Sequence, residues 1–256
     1  MPGLTHLGEV FHSVRGTEEE KKAVENLYLR PSANYFNYYE KLVRGDPSLS
    51  VPTPEARQDT LRRYLDFLCL QWPNMFVTID VKYDSTHHFE SVWSRPHRIP
   101  ALFEFLKADR VPILHIKRRD VFAKYCSLQL AEATGTWHIT TAGANSSITF
   151  HLATENLVAE LDAMLALQRE FTAFLQEYEP SHELYYEDMF DEPGFSRHAG
   201  EVVGSLIGRD IALPAPSLHK TTPPLRQVIL NWPDVFRALR DSPYEGLAQA
   251  HFGGKV

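Results

Sequence analysis

VPILHIKRRDVFAKYCSLQLAEA, residues 111–133, is the stretch on which the reading of this chain turns. Residues 111–117 are apolar almost without interruption, as a strand buried on both faces of a parallel sheet must be. Three cations, Lys117, Arg118 and Arg119, stand where that run stops. An amphipathic segment begins at Val121 and carries Ser127, eight residues beyond Arg119. Doubly wound sheets bind ligands at such junctions, outside the carboxyl ends of their strands. Free N–H groups and the helix dipole favour an anion there. The forked donors of Arg118 and Arg119 suit a phosphate, and Ser127 adds a hydroxyl donor. The competing reading is plainer: the arginines solvate a loop and pair with surface carboxylates, while Ser127 packs against a neighbouring strand.

The flanking segments repeat the alternation of strand and helix. MFVTIDVKY, 75–83, reads as an earlier buried strand with Lys82 at its polar end, and IPALFEFLKAD, 99–109, as a short helix. EARQDTLRRYLDFLCLQW, 55–72, places Leu61, Tyr64, Leu65, Leu68 and Leu70 at helical intervals. The longest helix is expected over 154–178, ending at Pro180. After it, HELYYEDMF, 182–190, reads as a strand plus a turn, and HAGEVVGSLIG, 198–208, as a helix closed by Gly208. Near the start, Thr17 and Glu20 have capping-box spacing. The tail reads as a Pro-rich loop followed by one helix or two short ones, because Pro233 breaks the helical pattern. The order predicts an α/β class with a parallel sheet.

Composition narrows the function. With 256 residues and 29.3 kDa the chain suits a single domain spanning 1–256. A net charge of −7 argues against broad electrostatic capture of nucleic acid. The two cysteines, Cys69 and Cys126, lack CxxC spacing, so a zinc site or a disulfide framework is not expected and reduced, cytoplasmic thiols are. Neither a membrane-spanning apolar run nor a signal core is found. His87, His88 and Glu90 suggest a metal cluster at first sight, but adjacent histidines on an extended segment point apart, and a polar acceptor-binding loop is the better reading.

Taken whole, ILHIKRRDVFAKYCSLQLAEATGTWH resembles a signature of sulfotransferases that use 3′-phosphoadenosine 5′-phosphosulfate, most closely the bacterial carbohydrate branch that includes the trehalose and lipopolysaccharide enzymes. In that family a strand ends in arginines and a serine follows one of them by eight residues, both binding the 3′-phosphate, which maps onto Arg119 and Ser127 with Arg118 beside them. HLGEVF resembles the family's segment whose glutamate is the general base, which implies that role for Glu9, with His6 and His12 as alternative bases. TIDVKY, YYEDM with the VVGSLIG helix, and HKTTPPLRQVILNWPDVFRAL match further family segments in the same order, the last implying that Lys220 closes over the nucleotide.

The resemblance implies a P-loop-NTPase-like central parallel sheet flanked by helices, with the phosphosulfate nucleotide as co-substrate, no metal, and a hydroxyl of a carbohydrate or small molecule as acceptor. A homodimer is the matching expectation for the assembly. Members begin with a strand and an R-x-G-[ST]-[ST] loop that cradles the 5′-phosphosulfate. This chain starts eight residues before Glu9, so that strand and loop are expected to be missing, and VRGTEEEKK, 14–22, is no substitute because its glutamates repel such a group. Two expectations follow: a sulfotransferase that needs the loop supplied, or a catalytically inactive remnant with a nucleotide- or partner-binding role. A sugar or nucleoside kinase needs a Walker lysine that the sequence does not offer. Trp137, after Gly135, is read as stacking on adenine or a sugar, or as a buried aromatic.

Overall fold

The computed structural model describes residues 4–11, 32–51, 53–83, 101–135, 148–191, 194–211, 213 and 224–253 of the chain. It divides into two compact units, Met1–Asp109 and Arg110–Val256. The class is mixed α/β: several helices accompany small sheets of two strands each among the described residues.

In the first unit β1 (Leu4–His6) pairs in parallel with β2 (Phe76–Thr78), Leu4 opposite Phe76 and His6 opposite Thr78. The strand expected over 75–83 is therefore shorter, because β1 offers only three partners and the chain beyond Thr78 turns to Gly8, whose carbonyl accepts Asp80 N at 2.9 Å. Gly8 has φ 70, a left-handed conformation that costs glycine nothing, and its carbonyl also receives Val10 N at 3.0 Å. The aromatic run at 35–39 opens α1 (Tyr35–Gly45), where Asn34 Oδ1 caps the backbone N–H groups of Phe36 and Asn37. Tyr35 packs edge-on against Phe11 and Tyr64, so this run builds core. A 3-10 turn (Pro47–Ser50) leads to α2 (Pro54–Gln71), which starts with Thr53 as cap and Pro54 in the first turn. Leu61, Tyr64 and Leu68 are buried as the spacing predicts, but Leu70 is 79 % exposed, since it falls off the stripe that those three define. The short helix α3 (Ala101–Ala108) follows, and Arg62 of α2 lies over the ring of Phe105.

The second unit begins with β3 (Ile113–Lys117), α4 (Val121–Thr134) and α5 (Leu157–Leu175), after which β4 (Ser181–Tyr185) returns parallel to β3 with Ile113 opposite Ser181 and Lys117 opposite Tyr185. Parallel return demands a helical crossover, and α4 and α5 supply it. A 3-10 turn (Tyr186–Asp188) and the hairpin β5 (Phe190–Asp191) and β6 (Gly194–Phe195) lead into α6 (Arg197–Ile207), closed by Gly208 at φ 70 as expected. Helices α5 and α6 both pack against β3. The tail forms two short helices, the second of the arrangements expected from the Pro233 break: after the single turn α7 (Leu225–Val228), α8 (Trp232–Leu239) carries Pro233 in its first turn, where a missing N–H costs nothing. A last helix, α9 (Glu245–Phe252), completes the chain's described part. Phe122 and Cys126 of α4, Leu161 of α5, Val235 and Leu239 of α8 and Ala248 of α9 meet in the core of this unit.

The capping pair Thr17 and Glu20, the group His87, His88 and Glu90, Trp137 and Lys220 all lie outside the described residues.

Candidate anion-binding site

Parallel pairing puts the carboxyl ends of β3 and β4 side by side, so the three cations leave β3 beside Tyr185, Tyr186, Glu187 and Asp188 leaving β4. Each cation is engaged there. Lys117, only 7 % exposed, donates from Nζ to Glu183 Oε2 at 2.6 Å and lies over the Tyr185 ring. Burial works against its charge, yet the Glu183 hydrogen bond and charge more than offset this and raise its pKa. His115, two residues earlier on the same face, meets the other Glu183 oxygen at 3.2 Å. Burial pulls the His115 imidazole below its ordinary value despite that carboxylate.

Arg118 stacks on Tyr186 with Cζ 3.2 Å from the ring centroid, and burial lowers its pKa against the pull of Tyr186 and Glu187. Its backbone is held by Gln168 of α5, whose Oε1 accepts Arg118 N at 2.9 Å and whose Nε2 donates to Arg118 O at 3.1 Å. Arg119 makes a forked pair with Asp188, both bonds at 2.6 Å, which raises the guanidinium and lowers the carboxyl. Glu187 bridges the turn itself, accepting Arg119 N at 3.2 Å and Asp120 N at 3.3 Å. Asp120 caps α4 by accepting Ala123 N at 2.8 Å and also meets His251 of α9.

A planar guanidinium edge and two backbone N–H groups at a helix start are donors of the kind that bind oxyanions, and here Asp188 engages the first and Glu187 the second. Ser127 lies on the same helix, half-buried and next to the fully buried Cys126, about 9 Å along the axis from its first residue, Val121, at the usual helical rise. Arg118 and Arg119 thus lie at the strand-to-helix junction, and Ser127 lies within the helix that follows it.

Glu9 belongs to the first unit and sits at the corresponding end of the β1–β2 pair, just after His6 and Thr78. Lys82 Nζ is 3.1 Å from Glu9 Oε1. His6 hydrogen-bonds Thr78 Oγ1 at 3.0 Å and lies 3.7 Å from Asp80.

Sequence reading assigned no role to Asp120, Gln168, Glu183, Glu187, Asp188 or His251. Asp120 had a signal, an acidic residue directly before the helical pattern. Gln168 and His251 had none, since they reach the turn from 50 and 131 residues away. Among the described residues no group of His, Cys, Asp and Glu is arranged to hold a metal ion, and no helix is long and apolar enough to cross a membrane. Comparison with family models, curated proteins and solved structures returned no match.

Proposed function

We propose that this chain is a sulfotransferase-like protein of the bacterial carbohydrate branch, built on a P-loop-NTPase-like sheet, that binds 3′-phosphoadenosine 5′-phosphosulfate and transfers its sulfuryl group to a hydroxyl of a carbohydrate or small molecule. The observation that carries this reading is the junction between β3 and α4, where Arg118 and Arg119 leave a parallel strand directly before a capped helix bearing Ser127. In it, Arg119 and Ser127 hold the 3′-phosphate, Arg118 lends charge beside them, and Lys220 closes over the nucleotide. Glu9 takes the proton of the acceptor hydroxyl, and its place beyond a parallel strand pair supports that assignment. The bound nucleotide supplies the transferable sulfuryl group; a metal is not part of the proposal. A homodimer and a cytoplasmic setting complete it.

Titration calorimetry with adenosine 3′,5′-bisphosphate against adenosine 5′-monophosphate tests the binding claim. Expected is a preference of about tenfold or more for the bisphosphate, lost in Arg119→Ala and reduced in Ser127→Ala, because only the bisphosphate presents a 3′-phosphate. Equal binding of both nucleotides, or no effect of Arg119→Ala on a folded protein, would overturn it.

A second reading, a catalytically inactive remnant that keeps nucleotide or partner binding, is favoured by one observation: Asp188 already takes both outer nitrogens of Arg119. Sulfuryl transfer from the nucleotide to a panel of sugar hydroxyls separates the two readings.

A further inference from the structure

The basic turn carries its own anions. Lys117, Arg118 and Arg119 face four carboxylates, those of Asp120, Glu183, Glu187 and Asp188. As folded the junction is therefore not positive, and it does not attract a phosphate by charge alone. Geometry says the same. Asp188 occupies the guanidinium edge of Arg119 with two bonds of 2.6 Å, and Glu187 takes the N–H groups of Arg119 and Asp120 at 3.2 and 3.3 Å. These four donors are the ones an incoming oxyanion needs.

We infer that Glu187 and Asp188 determine which anion this junction accepts: they hold the places of a ligand's oxygens, and a ligand enters only by displacing the Asp188 carboxylate from Arg119. The inference deepens the phosphate-clamp reading above and rests on it. Asp188 is tethered, so it competes at a high effective concentration with a single charge and two oxygens. A free monocarboxylate or a halide brings no more than that and is excluded. A phosphate monoester dianion brings a second charge and a third oxygen, and it is the ligand class that prevails.

Displacement needs little rearrangement. The turn that bears Asp188 is pinned through its backbone, since Ser196 Oγ donates to Asp188 O at 2.5 Å and Ser196 N donates to Met189 O at 2.8 Å. The side chain of Asp188 is half in solvent, and among the described residues Arg119 alone bonds its carboxylate oxygens. Rotation of that one side chain opens the guanidinium edge while the turn, the Ser196 cap of α6 and β4 stay in place.

The test compares the wild-type chain, Asp188→Asn, the double variant Glu187→Gln/Asp188→Asn and Arg119→Ala by calorimetry, with adenosine 3′,5′-bisphosphate and with inorganic pyrophosphate. Thermal melts establish that each variant is folded. Expected is a gain of about tenfold in bisphosphate affinity for Asp188→Asn, a further gain for the double variant, and loss of both when Arg119→Ala is added. Unchanged or weaker binding by folded Asp188→Asn, where wild type binds the nucleotide, overturns the inference and leaves the nucleotide reading standing. If pyrophosphate binding rises in Asp188→Asn while neither protein binds the nucleotide, the displaced-carboxylate inference holds and the nucleotide reading falls. Absence of binding to either probe in every variant overturns both.

Discussion

His251 Nε2 lies 2.5 Å from Asp120 Oδ2 and ties the last described helix to the first turn of α4. The contact makes Asp120 a joint: Oδ1 caps the helix through Ala123 N, and Oδ2 holds α9. Burial alone would raise this carboxyl, but the hydrogen bonds from His251 and Ala123 and the Arg118 charge outweigh burial and leave its pKa below the ordinary value. A carboxyl depressed by folding contributes stability above its unfolded pKa of about 3.9, and that stability is lost as pH falls through the folded value. The urea midpoint should therefore drop on acidification below about pH 4. Asp120→Asn keeps a capping oxygen but loses the charge that faces His251 and Arg118, which should cost about 1 kcal/mol at neutral pH and flatten that acid limb. An unchanged limb in the variant would remove Asp120 from the explanation.

His115 predicts a second pH effect in a different window. It is 5 % exposed, and burial holds its imidazole below the ordinary value although Glu183 pulls the other way. An imidazole depressed by folding favours the neutral form, so the fold is most stable above the unfolded pKa of about 6.5 and loses stability as pH falls through that value. A two-dimensional NMR titration of the histidine ring should place its midpoint under 6.5 in the folded protein. A midpoint above it would mean that Glu183, and not burial, governs the ring.

The two thiols should react on separate timescales. Cys69 is exposed on α2, whereas Cys126 is fully buried in α4 and burial pushes its thiol far up, away from the reactive thiolate. A disulfide reagent should consume one thiol at once in the native protein and the second only at the rate of unfolding. Rapid reaction of both would show that α4 opens locally.

Much of the second unit was legible in the chain because its signals are local. The apolar run ending at Lys117, the helix expected over 154–178 and found at Leu157–Leu175, and the glycine at 208 each follow from residues next to one another. The parallel return of β4 beside β3 follows from strand and helix order. What local pattern does not carry is partner choice. The run of cations does stand where a strand gives way to a helix, and the plainer expectation, that the arginines pair with carboxylates, is met for Arg119. A carboxylate takes the forked donors of a guanidinium by the same geometry as a phosphate does, so sequence spacing does not tell the two partners apart. Gln168, Glu183 and His251 reach the junction from helices and a strand that only the fold brings near, and no periodicity announces them. In the first unit the strand at 75–83 was overextended because a run of β-formers sets an upper bound on strand length, while the partner strand sets the length itself.

Gln168 carries the last expectation, because it links the helix core to the basic turn. Its amide accepts Arg118 N at 2.9 Å and donates to Arg118 O at 3.1 Å, so a side chain of α5 continues the hydrogen bonding of β3 one residue past the strand's end. Gln168→Ala leaves both backbone groups to find water in a half-buried place, which should cost about 1 to 3 kcal/mol in urea denaturation. Gln168→Glu keeps the acceptor and the size but loses the donor to Arg118 O and adds a fifth carboxylate beside the three cations. Its stability loss should be the smaller one at low pH, where the new carboxyl is protonated and can donate again. Affinity for adenosine 3′,5′-bisphosphate should fall in both variants; the salt dependence should stay as in wild type for Gln168→Ala, which leaves the charges of Arg118 and Arg119 in place, and should weaken for Gln168→Glu, whose added carboxylate opposes the anion. Full affinity in a destabilised Gln168→Ala protein would show that the turn holds its shape without α5, and that Tyr186 stacking alone fixes Arg118.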